Sequence, residues 1–444
     1  MFKRKVYDEL KTWKDTYDGT YSVLIQGARR VGKSTVAESF AKHEYRSYIK
    51  IDFANMSEGV KDIFNDINNL DLFFLRLQAE TNITLYERES VIIFDEIQLF
   101  PKVRQAIKYL VADHRYDYIE TGSLISIKKN VKGIVLPSEE HKITMYPMDY
   151  EEFLWATGNS NYELIKKIVK IGKPIGNSTN RKLMRDFRVY MAVGGMPQAV
   201  EAYVQKKNFA EIDAIKREII DLYKDDFKKI DSSGRISRIF KAIPSQLALR
   251  KKRFVISNAT GKKKSTKDEE LLSDLLDSKC ALICNNVSSP GISLSQTKSD
   301  EEFKLYITDT GLFVTLLFND ESKAHEDIYK KMLSDKLSEN LGYLYENAVA
   351  QILASAGKQL YYHTWRKSES THSYEVDFLL IHNTKLVPIE VKSSRITPHL
   401  SIDNFSKKYA PYVGDKIIAS QQDIGELEGI HLWPIYCLPA LIED

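Results

Sequence analysis

Eight residues constrain this chain most: Gly27-Ala28-Arg29-Arg30-Val31-Gly32-Lys33-Ser34 follow the apolar run SVLIQ directly and lead straight into the amphipathic segment TVAESFAKHEY. The spacing is GxxxxGK[ST]. Glycines let the backbone approach an anion closely, a helix N-terminus directs its N–H groups at that anion, a lysine reaches the β/γ oxygens and a hydroxyl holds magnesium. Lys33 and Ser34 supply the last two, and Thr35 adjoins them. A strand-loop-helix unit is the framework this arrangement demands, so the first expectation is an α/β fold with a parallel sheet.

The rest of the first half agrees. Apolar runs SYIKIDF, VIIFDE and YDYIETGS alternate with amphipathic segments such as VRQAIKYLVADH, the pattern of buried parallel strands with crossover helices. VIIFDE ends in Asp95 and Glu96, two acids that are costly in a core and at home where a strand emerges at the sheet's C-terminal edge. Asp95 is expected to hold Mg2+ through water, and Glu96 to polarise the attacking water of a bound ATP. YDYIETGS ends in Thr121 and Ser123, whose hydroxyls reach the γ-phosphate if this strand lies beside the first; simple turn or capping chemistry is the alternative. Arg29 and Arg30 either touch ligand or cover the sheet edge.

Bulk properties set the frame. At 444 residues, with 43% hydrophobic and 28% charged residues, the chain is globular and long enough for several domains. Lys plus Arg number 64 against 61 for Asp plus Glu, so net charge gives no argument for a nucleic-acid partner. Three cysteines, Cys280, Cys284 and Cys437, make no disulfide framework and no zinc spacing. The N-terminus lacks an apolar core and no stretch is long enough to span a bilayer, so a cytoplasmic protein without a membrane partner is expected.

Four segments are predicted: an ATPase domain over 1–157, a helical lid over 158–233, a winged helix over 234–320 and a further α/β domain over 321–444. The lid is interrupted at GGMP, Gly194 to Pro197, either a hinge or a plain interhelical turn. The winged helix is read from helices followed by the strands ALICNNV and FKLYITD. Around it lie Arg250, Lys251, Lys252, Arg253, Lys262, Lys263, Lys264 and Lys267, which either contact DNA phosphates or form a solvated face.

The phosphate loop, FDEIQ, ETGS, MYPMDYEEFLWA and GGMP together resemble the bacterial and archaeal AAA-type ATPases that carry an uncharacterised C-terminal domain. The resemblance covers essentially the whole chain. It implies an ATPase core with helical lid and winged helix, related in build to signal-transducing ATPases with numerous domains. KGIVLPSEEHK lacks the Gly-Arg pair of many relatives, so no charge-neutralising arginine is assigned.

Near the C-terminus, YEVDFLLI and KLVPIEVK flank His382-Asn383-Thr384. A tight hairpin centred on Asn383 and Thr384 pairs positions whose numbers sum to 767, setting Asp377 opposite Glu390 and Glu375 opposite Lys392, all on one face. Opposed carboxylates repel unless a cation lies between them or a lysine lies near. Pro388 donates no ladder bond, so it needs an edge or non-bonded position. Asp followed by Glu-x-Lys on the neighbouring strand resembles the restriction-endonuclease-like nucleases, with Glu346 matching their helical acid and Val376 replacing a proline. That resemblance implies Mg2+ on Glu346, Asp377 and Glu390, and Lys392 activating the water that attacks a phosphodiester. An inactive nucleic-acid-binding relic and an unrelated solvated hairpin are the alternatives.

The expected function is therefore Mg-dependent ATP hydrolysis driving a switch that controls a nuclease-like domain acting on double-stranded DNA. The alternative is a regulatory nucleotide-binding scaffold whose C-terminal domain holds DNA or protein without cleaving. A P-loop kinase is disfavoured by the Asp95-Glu96 pair. Oligomeric state is left open.

Overall fold

The computed structural model describes residues 1–122, 138–261, 267–318, 329–330, 332–334, 341–367, 372–393, 396–397 and 399–442. The chain forms two compact units, Met1–Tyr146 with Asp277–Lys279, and Pro147–Leu276 with Cys280–Asp444.

The first unit contains α1 (Val6–Tyr17), β1 (Ser22–Gln26), α2 (Lys33–Glu44), β2 (Ser47–Asp52), α3 (Glu58–Ile63), α4 (Leu70–Thr81), β3 (Ser90–Asp95), α5 (Pro101–Asp113), β4 (Asp117–Gly122) and β5 (Glu140–Thr144). All five strands run parallel in the order β2-β3-β4-β1-β5. Burial explains the order. β1, β3 and β4 are buried at every position and occupy the centre, whereas β2 and β5 are partly exposed and take the edges. Leu24, Ile92, Phe94, Ile107 and Tyr118 anchor the core, with Phe94 stacked on Tyr118.

This sheet also buries an ion cluster. Arg104 from α5 reaches Glu120 on β4 at 3.1 Å and Glu140 on β5 at 2.6 Å, and the Ser22 hydroxyl donates to Glu120 at 2.9 Å. Burial, with the Glu140 charge next, pushes the Glu120 carboxyl up from 4.5 to about 8. A folded-state value above the unfolded one means that this contribution to stability is fully present below about pH 4.5 and is lost as pH rises through about 8. The thermal midpoint should therefore fall between pH 5 and 9, and Glu120→Gln should flatten that slope. An identical slope in the variant removes Glu120 as its origin.

The second unit begins with helices α6 (Tyr150–Ala156), α7 (Tyr162–Lys170), α8 (Asn177–Val193), α9 (Pro197–Val204) and α10 (Phe209–Ile230). α6 opens with a reciprocal capping box between Asp149 and Glu152, at 2.8 and 3.1 Å. The GGMP break is packed tightly on both sides. Gly194 has φ 84°, and a Cβ there would lie 2.4 Å from Asp309 Oδ1; Gly195 donates to Asp309 at 2.6 Å and accepts from the Met148 N–H at 2.7 Å. The hinge option loses to an interhelical turn fixed by close backbone approach.

Helices α11 (Arg235–Ala248), α12 (Ile256–Thr260) and α13 (Lys267–Asp277) precede strands β6 (Ala281–Val287) and β7 (Lys298–Ile307), the predicted succession. That hairpin is not an isolated wing. After α14 (Thr310–Leu317) and α15 (Gly342–Ser355), β8 (Leu360–Arg366) pairs in parallel with β6 and β9 (Ser373–Val376) pairs with β8, giving a sheet ordered β7-β6-β8-β9. The segments expected to divide at 320/321 thus share one sheet.

A second sheet contains β10 (Phe378–His382), β11 (Lys385–Val391), β12 (Ile417–Ser420), β13 (Gly425–Leu427) and β14 (Ile430–Pro434) in the order β10-β11-β12-β14-β13, with α16 (Leu400–Lys408) between β11 and β12 in sequence and α17 (Leu438–Ile442) after β14. The β10–β11 register is the predicted one, with Phe378 opposite Ile389 and His382 opposite Lys385. Asn383 and Thr384 both take positive φ, as a two-residue turn of this hand requires. β11 is interior, and Pro388 lies in the gap between the lone Leu386–Val413 bridge and the ladder to β12 that begins at Ile389.

The pairing expected beyond Phe378 fails. Glu375 does not face Lys392 across this hairpin but belongs to β9, opposite Thr364, and Asp377, outside β10, forms no rung with Glu390. The chain changes sheets at Asp377, which lies between β9 and β10.

Candidate functional sites

In the first unit, β4 lies between β1 and β3, beside the first strand as the assignment of Thr121 required. The loop 27–32 crosses from β1 to the N-terminus of α2, with Arg30 and Gly32 at φ 69° and 100°. A Cβ on Gly27 would lie 2.2 Å from the Met145 carbonyl oxygen, so only glycine fits there. Ala28 and Val31 are buried, while Arg29, Arg30 and Thr35 are exposed. The Arg4 guanidinium braces the loop, donating to the carbonyls of Val31 at 2.8 Å and Tyr146 at 2.7 Å.

Lys33 is buried and its ammonium donates to the carbonyls of Gly27 (3.1 Å) and Ala28 (3.0 Å), which holds it over the loop. The Ser34 hydroxyl donates to Asp95 Oδ1 at 2.6 Å, and the Thr121 hydroxyl donates to the same oxygen. Glu96 follows at φ 55°, its N–H donating to Thr121 Oγ1 at 3.3 Å and its carboxylate accepting from the Gln98 amide. Ser123 lies outside the described residues.

Sequence reading missed Lys50 here. Its ammonium lies 3.3 Å from Asp95 Oδ2 and 3.3 Å from Glu38. Lys50 belongs to an edge strand and no motif marks it. A hydroxyl, a carboxylate and a helix N-terminus converge on one point, and these hard oxygen donors suit Mg2+ with a nucleotide phosphate.

In the second unit a polar cavity of about 500 Å³ gathers Glu346 from α15, Glu375 from β9, Asp377 from the sheet junction and Glu390 and Lys392 from β11, with Lys304 from β7 and Arg250 and Lys251 at its rim. The four residues predicted to share a face do share this cavity, although the sheet change replaces the predicted route to it. Asp377 accepts from the Val391 N–H at 2.7 Å. Burial, with the Glu346 charge next, holds its carboxyl well above the ordinary range. Glu390 is 7% exposed; Lys392 lies 2.6 Å from its Oε1, while its buried Oε2 has no hydrogen-bond partner. An orphaned buried carboxylate oxygen in an acid-lined cavity fits a divalent cation.

Lys304 was invisible to sequence reading. Its ammonium lies 2.8 Å from Glu346 and 2.7 Å from Glu375, and the Tyr306 hydroxyl also donates to Glu346, at 2.5 Å. Burial opposes its charge, but Glu346, Glu375 and Asp377 hold it charged well above the ordinary lysine value. Glu346, expected among the metal ligands, is thus engaged by Lys304 and Tyr306. Among the described residues, no group of three or more His, Cys, Asp or Glu side chains is arranged to hold a metal ion.

The basic run follows the end of α11, and Arg250 and Lys251 bring it to this rim. Lys252 donates to Ser373 at 2.7 Å and Arg253 lies 3.6 Å from Glu302. Lys262, Lys263 and Lys264 lie outside the described residues. On the opposite face of the second sheet, alternate residues Val387 and Ile389 line a separate, mostly apolar cavity of about 460 Å³ that also includes Trp433 and His431.

Residues 20–154 match the family described as an AAA domain, residues 184–323 a domain of unknown function, DUF8612, and residues 341–438 another, DUF4143. No curated protein matches. Similar solved structures include the Walker-type ATPase PABY2304 of Pyrococcus abyssi, at 16% identity and a TM-score of 0.43, covering 71% of this chain and 96% of that one. A Signal Transduction ATPase with Numerous Domains, PH0952 of Pyrococcus horikoshii, matches at 10% identity and a TM-score of 0.29, covering 79% and 48%. Cdc6p of Pyrobaculum aerophilum matches at 12% identity and a TM-score of 0.25, covering 74% and 94%. At these scores the neighbours add nothing to the strand order and the family match. Among the described residues no helix is long and apolar enough to cross a membrane. Residues 20–154, which carry the phosphate loop and the five-stranded parallel sheet, are thus the part of the chain that is similar to the AAA-domain family.

Proposed function

We propose that the chain binds Mg-ATP and hydrolyses it, and that this turnover governs a cation-dependent, nucleic-acid-binding pocket in the second unit. The observation that carries the ATPase reading is the 2.6 Å contact between Ser34 and Asp95 at the N-terminus of α2. The loop 27–32 and Thr35 cradle the phosphates, and Lys33 neutralises the β/γ oxygens. Ser34 and Asp95 hold the magnesium, which supplies charge neutralisation on the phosphates. Glu96 orients the attacking water, and Thr121 fixes the Asp95 carboxylate. Glu96→Gln should retain ATP affinity while kcat falls by about 10²-fold or more. Unaltered turnover in that variant removes Glu96 from this role.

In the second unit, Asp377 and Glu390 are assigned to one divalent cation and Lys392 to the water beside it, with Arg250 and Lys251 holding the DNA backbone at the rim. The orphaned Glu390 oxygen supports this reading. A second reading, binding without cleavage, is favoured by the neutralisation of Glu346 and Glu375 by Lys304. Incubating the protein with duplex DNA and Mg2+ or Mn2+, with and without ATP, beside a salt-dependent binding titration, separates the two: cuts support the nuclease, and salt-sensitive binding without cuts supports the scaffold.

A further inference from the structure

We propose that Lys304 is a resident cation of the acid pocket: its ammonium takes the place of a second metal ion, so the pocket binds a single divalent cation, on Asp377 and Glu390. This inference rests on reading the pocket as a metal site.

Three observations carry it. Lys304 comes from β7, outside the 341–438 segment that supplies the acids, yet its Nζ is within 2.8 Å of carboxylates from two separate elements, α15 and β9. It is 4% exposed, with Tyr362 under it at 5.3 Å, so the ammonium is built into the fold and is not a surface group that wandered in. The acids then divide into two pairs. Glu346 and Glu375 are satisfied by Lys304, with Tyr306 assisting, whereas Asp377 accepts one backbone N–H and Glu390 keeps an unpartnered buried oxygen.

The ion pairs divide in the same way: the Lys304 ammonium is shared by Glu346 and Glu375, Lys392 pairs with Glu390 Oε1, and Arg250 and Lys251 add positive charge at the rim. A second divalent ion would have to displace a buried ammonium from two short ion pairs. Glu346 accordingly acts as a positioning residue: it holds Lys304, and through it the electrostatic balance of the pocket, and it does not ligate the metal.

The test is Mn2+ binding to the full-length chain without nucleotide, in an Asp95→Asn background that silences the other site, followed by calorimetry and by the paramagnetic signal of free Mn2+. One Mn2+ per chain is expected, lost in Asp377→Asn. Lys304→Met should admit a second ion at Glu346 and Glu375, while Lys304→Arg should stay at one. Two ions with Lys304 intact, or one in a folded Lys304→Met, overturn the inference while leaving the pocket a metal site. Should Lys304→Met fail to fold, the stoichiometry of Glu346→Gln decides: one Mn2+ per chain supports the inference, and complete loss of binding, as for a direct ligand, overturns it. No Mn2+ bound at all sinks the metal reading itself.

Discussion

Lys33→Ala should weaken ATP binding by about 10²-fold. A hydrogen bond to a charged group contributes about 1.5–3 kcal/mol, which corresponds to roughly 10- to 150-fold in affinity. Lys33 faces several phosphate oxygens in this reading, so the loss belongs at the upper end of that range. Loss of an electrostatic donor at the reacting phosphate adds about 10²–10³ in kcat. The variant should still fold, because the Gly27 and Ala28 carbonyls that Lys33 releases belong to a loop that Arg4 continues to brace. Fluorescent-nucleotide titration with a parallel thermal melt checks both points. Wild-type affinity in a folded Lys33→Ala chain would contradict the placement of the nucleotide.

Glu390→Gln should remove the divalent cation from the second unit. Neutralising this side chain withdraws one of two anionic ligands and also the partner of Lys392 at 2.6 Å, leaving a positive charge beside the vacated position. Disturbing even an outer-shell partner of a metal costs about 10- to 100-fold in affinity, so removing a direct ligand should cost at least the upper figure. Mn2+ titration measures it, and any DNA cleavage should disappear in the same variant. Cleavage that survives Glu390→Gln or Asp377→Ala would show that the chemistry lies elsewhere.

The framework of the candidate nucleotide site was legible in the sequence because its pattern is local. Eight consecutive residues specify the loop, and an apolar strand ending in Asp95-Glu96 specifies its partner. β5 was not legible: Glu140–Thr144 is short, charged and on the sheet edge, so it lacks the apolar run by which the central strands announce themselves. The C-terminal hairpin was read correctly in register, since a two-residue turn fixes every pairing beyond it. Its limit was misjudged. Nothing between Tyr374 and Phe378 signals that the chain leaves one sheet for another at Asp377. Lys304 was hidden for a different reason. Its partners are 42 and 71 residues away, and contacts at that range leave no periodicity and no motif.

The double pairing of β6 constrains how such a chain can be rearranged over evolutionary time. One edge of this strand meets β7 and the other meets β8, so a recombination breakpoint placed between them would strand a row of amide and carbonyl groups on both products. Exposed strand edges of that kind recruit other chains indiscriminately. The hairpin and the acid-bearing tail should therefore be inherited as one block, exchanged together or not at all.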